Sequence, residues 1–519
     1  MTTACIITFA ILLYFLLNSI QGRILITSIQ THNNDINYDH TNSPIYISPS
    51  IAPNANNNNN DDDDTTNDEY YKLAPSPIYS HSSVDHYSHA HAPSPSKAIK
   101  VNTSVLEPII TKMYYDVRSF GAVGNGLKDD TFAFKSAWES ACQVENATIV
   151  APKGYSFLLL PLIFMGPCKS GLVFQVEGTI VAPNGPNSWP KKISKRQWII
   201  FYKIHGLTFQ GGGLIDGKGD KWWILPCKPH RGINGTTMPG PCDSPVAIRF
   251  FGSSNVTVKG LKLINSPQFH IRFDSCQSVQ VDYLEINSPA NSPNTDGIHV
   301  ENSIDVNIYD SIISNGDDCI SIGASSHNLD IKNVTCGPSH GISIGSLGER
   351  NSRACVSNIT VTNSVIKHSD NGVRIKTWQG GSGCVSGITF NNIQMDTVRN
   401  PIMIDQYYCT LRRCRNQTSA VSIANISYYN IKGTYDPRGP PVHLGCSDSV
   451  PCTNITISGL ELQPALVPSP SSSYQYAHSI EPFCWSAYGS LCELTIPPVH
   501  CLLVGLPNLH IPVGRVGLC

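Results

Sequence analysis

A short pattern, two apolar residues separated by one polar residue, recurs eight times between residues 255 and 457, and it limits the possible folds more than any other feature of the chain. The copies are Asn255-Val-Thr-Val, Ser278-Val-Gln-Val, Asp305-Val-Asn-Ile, Asn328-Leu-Asp-Ile, Asn358-Ile-Thr-Val, Gly387-Ile-Thr-Phe, Asn425-Ile-Ser-Tyr and Asn454-Ile-Thr-Ile. Their first apolar residues are 23, 27, 23, 30, 29, 38 and 29 residues apart. A repeat of roughly 20–50 residues marks a stacked array. Alternation with a period of two makes each copy a strand, and the Gly, Asn and Ser between copies supply tight bends. A second set keeps step with the first: Asp296-Gly-Ile-His-Val, Asp318-Cys-Ile-Ser-Ile, His340-Gly-Ile-Ser-Ile and Asn371-Gly-Val-Arg-Ile. Two strand types in constant order, with no helix between them, predict the coils of an all-β parallel β-helix, each burying its apolar residues against the coils above and below. A propeller blade needs longer units of four antiparallel strands, and a leucine-rich solenoid a different leucine spacing.

The repeats do not begin at once. Ala4 to Leu17 is an apolar run followed by Asn18, Ser19, Gln21 and Gly22, so residues 1–22 read as a secretory signal. The run is short for a membrane-spanning helix, and no later segment is long and apolar enough for one. Residues 23–112 include Asn56 to Asn60, Asp61 to Asp64 and the stretch His89-Ala-His-Ala-Pro-Ser-Pro. Such a leader buries too little apolar surface to offset its ordering entropy, and its histidines lack the fixed spacing of a metal site. Residues 113–519 form the predicted β-helix domain with a cysteine-containing C-terminal tail. Near its start, Asp130 is the expected N-cap of a helix from Thr131 to Cys142, with Phe132, Phe134, Ala137, Trp138 and Ala141 on its inner side, covering the open end of a sheet.

A net charge of −2 argues against a nucleic-acid partner. Of the 18 cysteines, Cys5 leaves with the signal. The remaining odd number lacks repeated zinc spacing, so structural disulfides with at least one spare thiol are expected in an exported chain. Nine N-x-S/T sequons occur, at Asn102, Asn146, Asn234, Asn255, Asn333, Asn358, Asn416, Asn425 and Asn454. Export makes them candidate glycosylation sites. Asn255, Asn358, Asn425 and Asn454 hold one place in the repeat, where they serve mainly as turn residues.

The in-step strands also place chemistry. Asp296 to Asp318 is 22 residues, and Asp318 to His340 is 22 more. With one interval per coil, these side chains stack on one wall at about 4.8 Å. Arg374 and Lys376 follow on the next coil, two apart and so facing one way. Asp317 adjoins Asp318, and both reach that wall only where the chain bends, at a strand end after Gly316. Like charges so placed repel, and at least one carboxyl pKa is expected to rise, as a general acid requires. Taken singly, each aspartate also reads as a turn residue. Their shared coil register favours a site suited to glycoside hydrolysis, with one carboxyl protonating the leaving oxygen and ionised carboxylates activating water. Arg374 and Lys376 suit an acidic sugar.

Ser292-Pro-Asn-Thr-Asp-Gly, Gly316-Asp-Asp-Cys, Ser339-His-Gly-Ile-Ser-Ile-Gly-Ser and Arg374-Ile-Lys, in that order, resemble the four signatures of the polygalacturonases, glycoside hydrolase family 28. Asn371-Gly-Val-Arg-Ile-Lys-Thr-Trp-Gln-Gly looks like the plant branch, and the likeness runs from about Tyr114 to at least Leu462. The resemblance implies a right-handed parallel β-helix with an open cleft, and inverting hydrolysis of α-1,4-linked galacturonic acid in pectin without a metal or other cofactor. It implies Asp317 as general acid, Asp296 and Asp318 holding and activating water, and His340 supporting the acid. Arg374 and Lys376 would bind substrate carboxylate, and Asn294 and Gly341 would shape the substrate site. It also implies a secreted cell-wall enzyme, acting as a monomer and free of membrane after signal removal. Ser339 departs from the family's usual glycine, and its side chain is expected to narrow the cleft or alter a subsite. The segment from Lys218 to Cys242 reads as an elaboration. An exo-acting or related pectin-backbone hydrolase is the first alternative; a calcium-dependent pectate lyase and a non-catalytic wall-binding protein are further competing readings, both disfavoured by the aspartate set.

Overall fold

The computed structural model describes residues 112–224, 230–231, 237–238, 244–410, 414–466 and 480–507. The signal, nearly all of the leader and most of the segment from Lys218 to Cys242 lie outside the described residues.

The chain winds as a parallel β-helix, as the repeats predict, of the right-handed kind that the family resemblance implies. One wall is an eleven-stranded parallel sheet. Its strands are β1 (Leu162–Met165), β2 (Gln197–Tyr202), β3 (Val246–Phe251), β4 (Ile271–Asp274), β5 (Ile298–Glu301) and β6 (Ile320–Ile322). They continue with β7 (Ile342–Leu347), β8 (Asn371–Thr377), β9 (Asn400–Asp405), β10 (Val442–Gly445) and β11 (Phe483–Trp485). Inward positions form an unbroken apolar stack through Phe164, Phe201, Phe250, Phe273, Val300, Ile322, Ile344, Ile375, Ile404 and Leu444. The first four are phenylalanines whose adjacent rings stack 4.8–5.3 Å apart. Burying such a column in every coil supplies the main driving force for stacking.

A second wall is built from the eight-fold pattern. Val256, Val279, Val306, Leu329, Ile359, Ile388, Ile426 and Ile455 are direct partners from rung to rung. The residue before each, from Asn255 to Asn454, has φ between 52° and 69°. Only glycine, and less readily Asn, Asp and Ser, adopts that left-handed turn without a large cost, which explains the composition of the position. The four sequon asparagines here are turn residues, and their side chains link rungs: Asn358 Nδ2 donates to Asn328 (2.8 Å) and Asn454 Nδ2 to Asn425 (2.7 Å).

The helix, α1 (Thr131–Ala141), packs Ala133, Phe134, Ala137, Trp138 and Ala141 onto the first coils, and Cys142 caps it. Two expectations need correction. Phe132 is 78% exposed, because it falls outside the buried stripe. Asp130 precedes the helix but does not cap it with its side chain. Its carboxylate instead accepts the N–H groups of Val123 and Gly124, while Asp129 accepts the N–H of Thr131 at the first turn.

Disulfides join Cys142–Cys168, Cys319–Cys336, Cys409–Cys414, Cys446–Cys452 and Cys484–Cys501. Cys276 and Cys355 carry free thiols. Among the described residues, no helix is long and apolar enough to cross a membrane.

Candidate active site

The entry ends of β5 to β8 bring the sequence-predicted residues together. Ile298 pairs with Ile320, Ile320 with Ile342, and Ile342 with Val373. Each interval of 22 residues is therefore one coil. Asp296, Asp318, His340 and Asn371 occupy the same place, two residues before those partners. Asp317 and Asp318 lie on a bend before β6, so both escape strand alternation, as expected. Gly316 makes the bend possible: a Cβ there would stand 2.0 Å from the Ser292 carbonyl oxygen. The Cys319–Cys336 disulfide follows directly and ties this bend to the segment that leads into His340.

Asp318 is the electrostatic centre. It is buried, yet Arg374 donates to Oδ1 and Lys376 to Oδ2, each at 2.7 Å. Ser343 also donates to Oδ1 (2.8 Å) and accepts from Arg374 Nε (3.0 Å). Burial alone would raise the Asp318 carboxyl, but Lys376 and Arg374 outweigh it and hold the group below the usual carboxylate range. The raised carboxyl expected from like-charge repulsion is therefore not Asp318.

Asp317 belongs to a different set. His340 Nδ1 lies 2.9 Å from its Oδ1, and Asn294 Nδ2 stands 3.5 Å from its Oδ2. Asn294 sits in a left-handed turn (φ 59°), and its own Oδ1 is buried without a partner at the site. Burial would lower the His340 pKa, but the hydrogen bond and charge of Asp317, together with Asp318, more than compensate and raise it. Gly341 acts through its backbone: at φ 86° its Cβ would approach the Asn371 and Gly372 carbonyls to 2.2 and 2.3 Å. Asp296 is buried on the coil before, with its carbonyl held by the His270 N–H (2.9 Å).

Atoms of Asp317, Asp318 and His340 lie within 4.8 Å of one another, the one such possible metal cluster among the described residues. Arg374 and Lys376 already occupy both Asp318 oxygens, which makes it a poor cation site.

Ser339 also departs from expectation. It is buried, and its hydroxyl accepts the Gly341 N–H (2.9 Å) and bonds Ser369 on the next coil (2.9 Å). The hydroxyl finds its partners in the coil junction, so it does not narrow the substrate face. Sequence reasoning missed Ser343, which occupies the outward position of the Ile-Ser-Ile alternation, and His270, whose column precedes the motif. It also missed a polar chain upstream on the same wall, in which Arg249 pairs with Asp274, Arg272 with Glu301, and His299 Nδ1 with Ser321 (2.8 Å).

The family model for glycosyl hydrolases family 28 matches residues 142–481. A probable polygalacturonase of Arabidopsis thaliana is 46% identical over 385 residues, covering 74% of this chain and 83% of the relative. Polygalacturonase-2 of Solanum lycopersicum is 41% identical over 379 residues, covering 72% and 80%. Among solved structures, an endo-xylogalacturonan hydrolase from Aspergillus tubingensis matches with a TM-score of 0.58 at 24% identity, covering 73% of this chain and all of that one. The polygalacturonase of Erwinia carotovora gives 0.54 at 24%, covering 68% and 94%. At that identity the solved structures speak to the fold, while the family match and the plant relatives speak to descent. This chain belongs to glycosyl hydrolases family 28 and is a glycoside hydrolase.

Proposed function

We propose that the protein is a secreted polygalacturonase that hydrolyses the α-1,4-galacturonosidic bonds of pectin in the cell wall, with inversion at the anomeric carbon. The observation that carries this reading is the division of labour between two adjacent aspartates. Asp318 is held ionised by Arg374 and Lys376, while Asp317 faces an imidazole and an amide.

Asp317 is the general acid, protonating the glycosidic oxygen as the bond breaks. Asp296 and Asp318 hold and orient the attacking water. Asp318 is unsuited to forming a covalent glycosyl intermediate, because both oxygens are engaged by cations and its basicity is reduced. Water attack, and hence inversion, follows. His340 positions the Asp317 carboxyl. Arg374 and Lys376 meet a sugar carboxylate while remaining paired with Asp318, and Asn294 and Gly341 shape the position of that sugar. The plant relatives and the apolar signal run from Ala4 to Leu17 together support export to the wall.

Asp317→Asn tests the assignment. Release of reducing ends from polygalacturonate is expected to fall by at least ~100-fold, the lower range for removal of a general acid, with circular dichroism unchanged. Near-wild-type turnover would remove Asp317 from its role. An unsaturated, ultraviolet-absorbing product that disappears with chelator would instead identify a lyase.

A further inference from the structure

His340 has a second acidic neighbour that the proposed mechanism does not use. Its Nδ1 meets Asp317 Oδ1 at 2.9 Å, and its Nε2 stands 3.5 Å from Asp370 Oδ2. A carboxylate oxygen facing a ring nitrogen favours a proton on that nitrogen. Faced at both ends, the ring is favoured as the imidazolium, which donates from both.

We propose that Asp370 is a positioning residue for hydrolysis, keeping His340 doubly protonated and oriented so that its Nδ1–H stays on Asp317. The inference rests on the reading of Asp317 as the acid.

The backbone around Asp370 is fixed from two sides, which a casual surface residue does not require. Its N–H donates to the Ser339 carbonyl on the preceding coil (3.0 Å), and its own carbonyl accepts the Asn400 N–H on the following one (3.1 Å). The preceding residue, Ser369, bonds Ser339 Oγ (2.9 Å) and the Lys367 carbonyl (2.9 Å). The serine that departs from the family pattern thus ties together the two coils that carry His340 and Asp370. Only the Asp370 side chain faces solvent, at 62% exposure, and among the described residues its carboxylate makes no hydrogen bond that would give it another structural duty.

The charged groups facing His340 are Asp317 and Asp318 from the preceding coil, and Asp370 and Arg374 from the next. Arg374 opposes the imidazolium and the three carboxylates favour it. An exposed pair is worth at most about 1 kcal/mol, so Asp370 adjusts the protonation of His340 without creating it.

The test compares wild type with Asp370→Asn and Asp370→Glu. Protein labelled with ¹⁵N-histidine reports the His340 titration by NMR without any need for turnover. In Asp370→Asn the His340 midpoint is expected to fall by about 0.2 to 0.7 of a pH unit, and Asp370→Glu to restore most of that shift. On polygalacturonate, the alkaline limb of kcat/KM should move down by the same interval, giving a roughly 1.5- to 5-fold loss above it, while the acid limb keeps its midpoint. An unchanged His340 titration in Asp370→Asn overturns the inference, whatever the activity. Failure of the wild type to cleave polygalacturonate would instead count against the proposed function, leaving the NMR result to judge Asp370.

Discussion

Substituting His270 by glutamine removes a buried imidazole that holds the backbone of Asp296, the aspartate proposed to orient the attacking water. The ring is fully buried, with Nδ1 at 3.1 Å from the Asp296 carbonyl and Nε2 at 2.9 Å from Ser288 Oγ. A carbonyl only accepts, so Nδ1 carries the proton and Nε2 accepts from the serine. Burial pushes the His270 pKa down from 6.5 to about 4, despite the backbone acceptors of Asp296, Thr295 and Asn287. The sign follows from linkage. Above pH ~6.5 the ring is neutral in both states and contributes no pH dependence. Between 6.5 and about 4 the unfolded chain takes up a proton that the folded one refuses, so stability falls with pH and then levels off. At about 1.4 kcal/mol per pH unit, that gap gives a ceiling of about 3 kcal/mol. The assay is urea unfolding of wild type and His270→Gln at pH 7 and pH 4. All other titrating groups are shared, so the difference between the two proteins isolates this ring. Wild type should lose about 3 kcal/mol more than the variant over that interval. Parallel pH dependence in the two proteins would refute the reasoning.

Lys376→Met leaves the buried Asp318 with one cation instead of two, and is expected to cost about 3 kcal/mol near neutral pH by urea unfolding. The lowered Asp318 pKa stabilises the fold above the ordinary carboxyl pKa and loses that effect as pH falls through the folded value, so the deficit should shrink in acid. A deficit independent of pH would contradict the pairing. Ser339→Ala strands the Gly341 N–H and takes one of the two partners of Ser369 Oγ, which keeps its bond to the Lys367 carbonyl, for an expected loss of about 1–3 kcal/mol in the same assay. Because Ser339 faces the coil junction, KM for polygalacturonate should change less than stability does, and a large KM change with intact stability would restore a role at the substrate face.

The parts legible in the sequence were those governed by coil period. The apolar positions from Val256 to Ile455 align on rungs because each must land on the inner face, so a miscount by one would turn the whole strand outward. The same count placed Asp296, Asp318 and His340 on one wall, and the neighbouring pair Asp317 and Asp318 forced a bend that the structure shows. Features that depend on where a coil spends its extra residues were hidden. His340 and Asn371 occupy the same rung place but are 31 residues apart, and the surplus runs through the turn at Glu349–Asn351 and the long strand Arg353–Lys367. The approach of Asp370 to the imidazole could not be read without that path. Side-chain direction at Ser339 was hidden for a related reason, since its partner Ser369 lies on the next coil. Phe132 and Asp130 show that a helix start reveals the element but not which acid caps it, or which aromatic falls on its outer edge.

The most direct test is ¹H NMR of the first sugar released from polygalacturonate, recorded before mutarotation equilibrates the product. If Asp318 is a cation-bound carboxylate that orients water while Asp317 donates its proton, the new reducing end appears first as the β anomer. An α anomer at first appearance would mean that a carboxylate had taken the anomeric carbon in a covalent bond, and would contradict the role derived for Asp318.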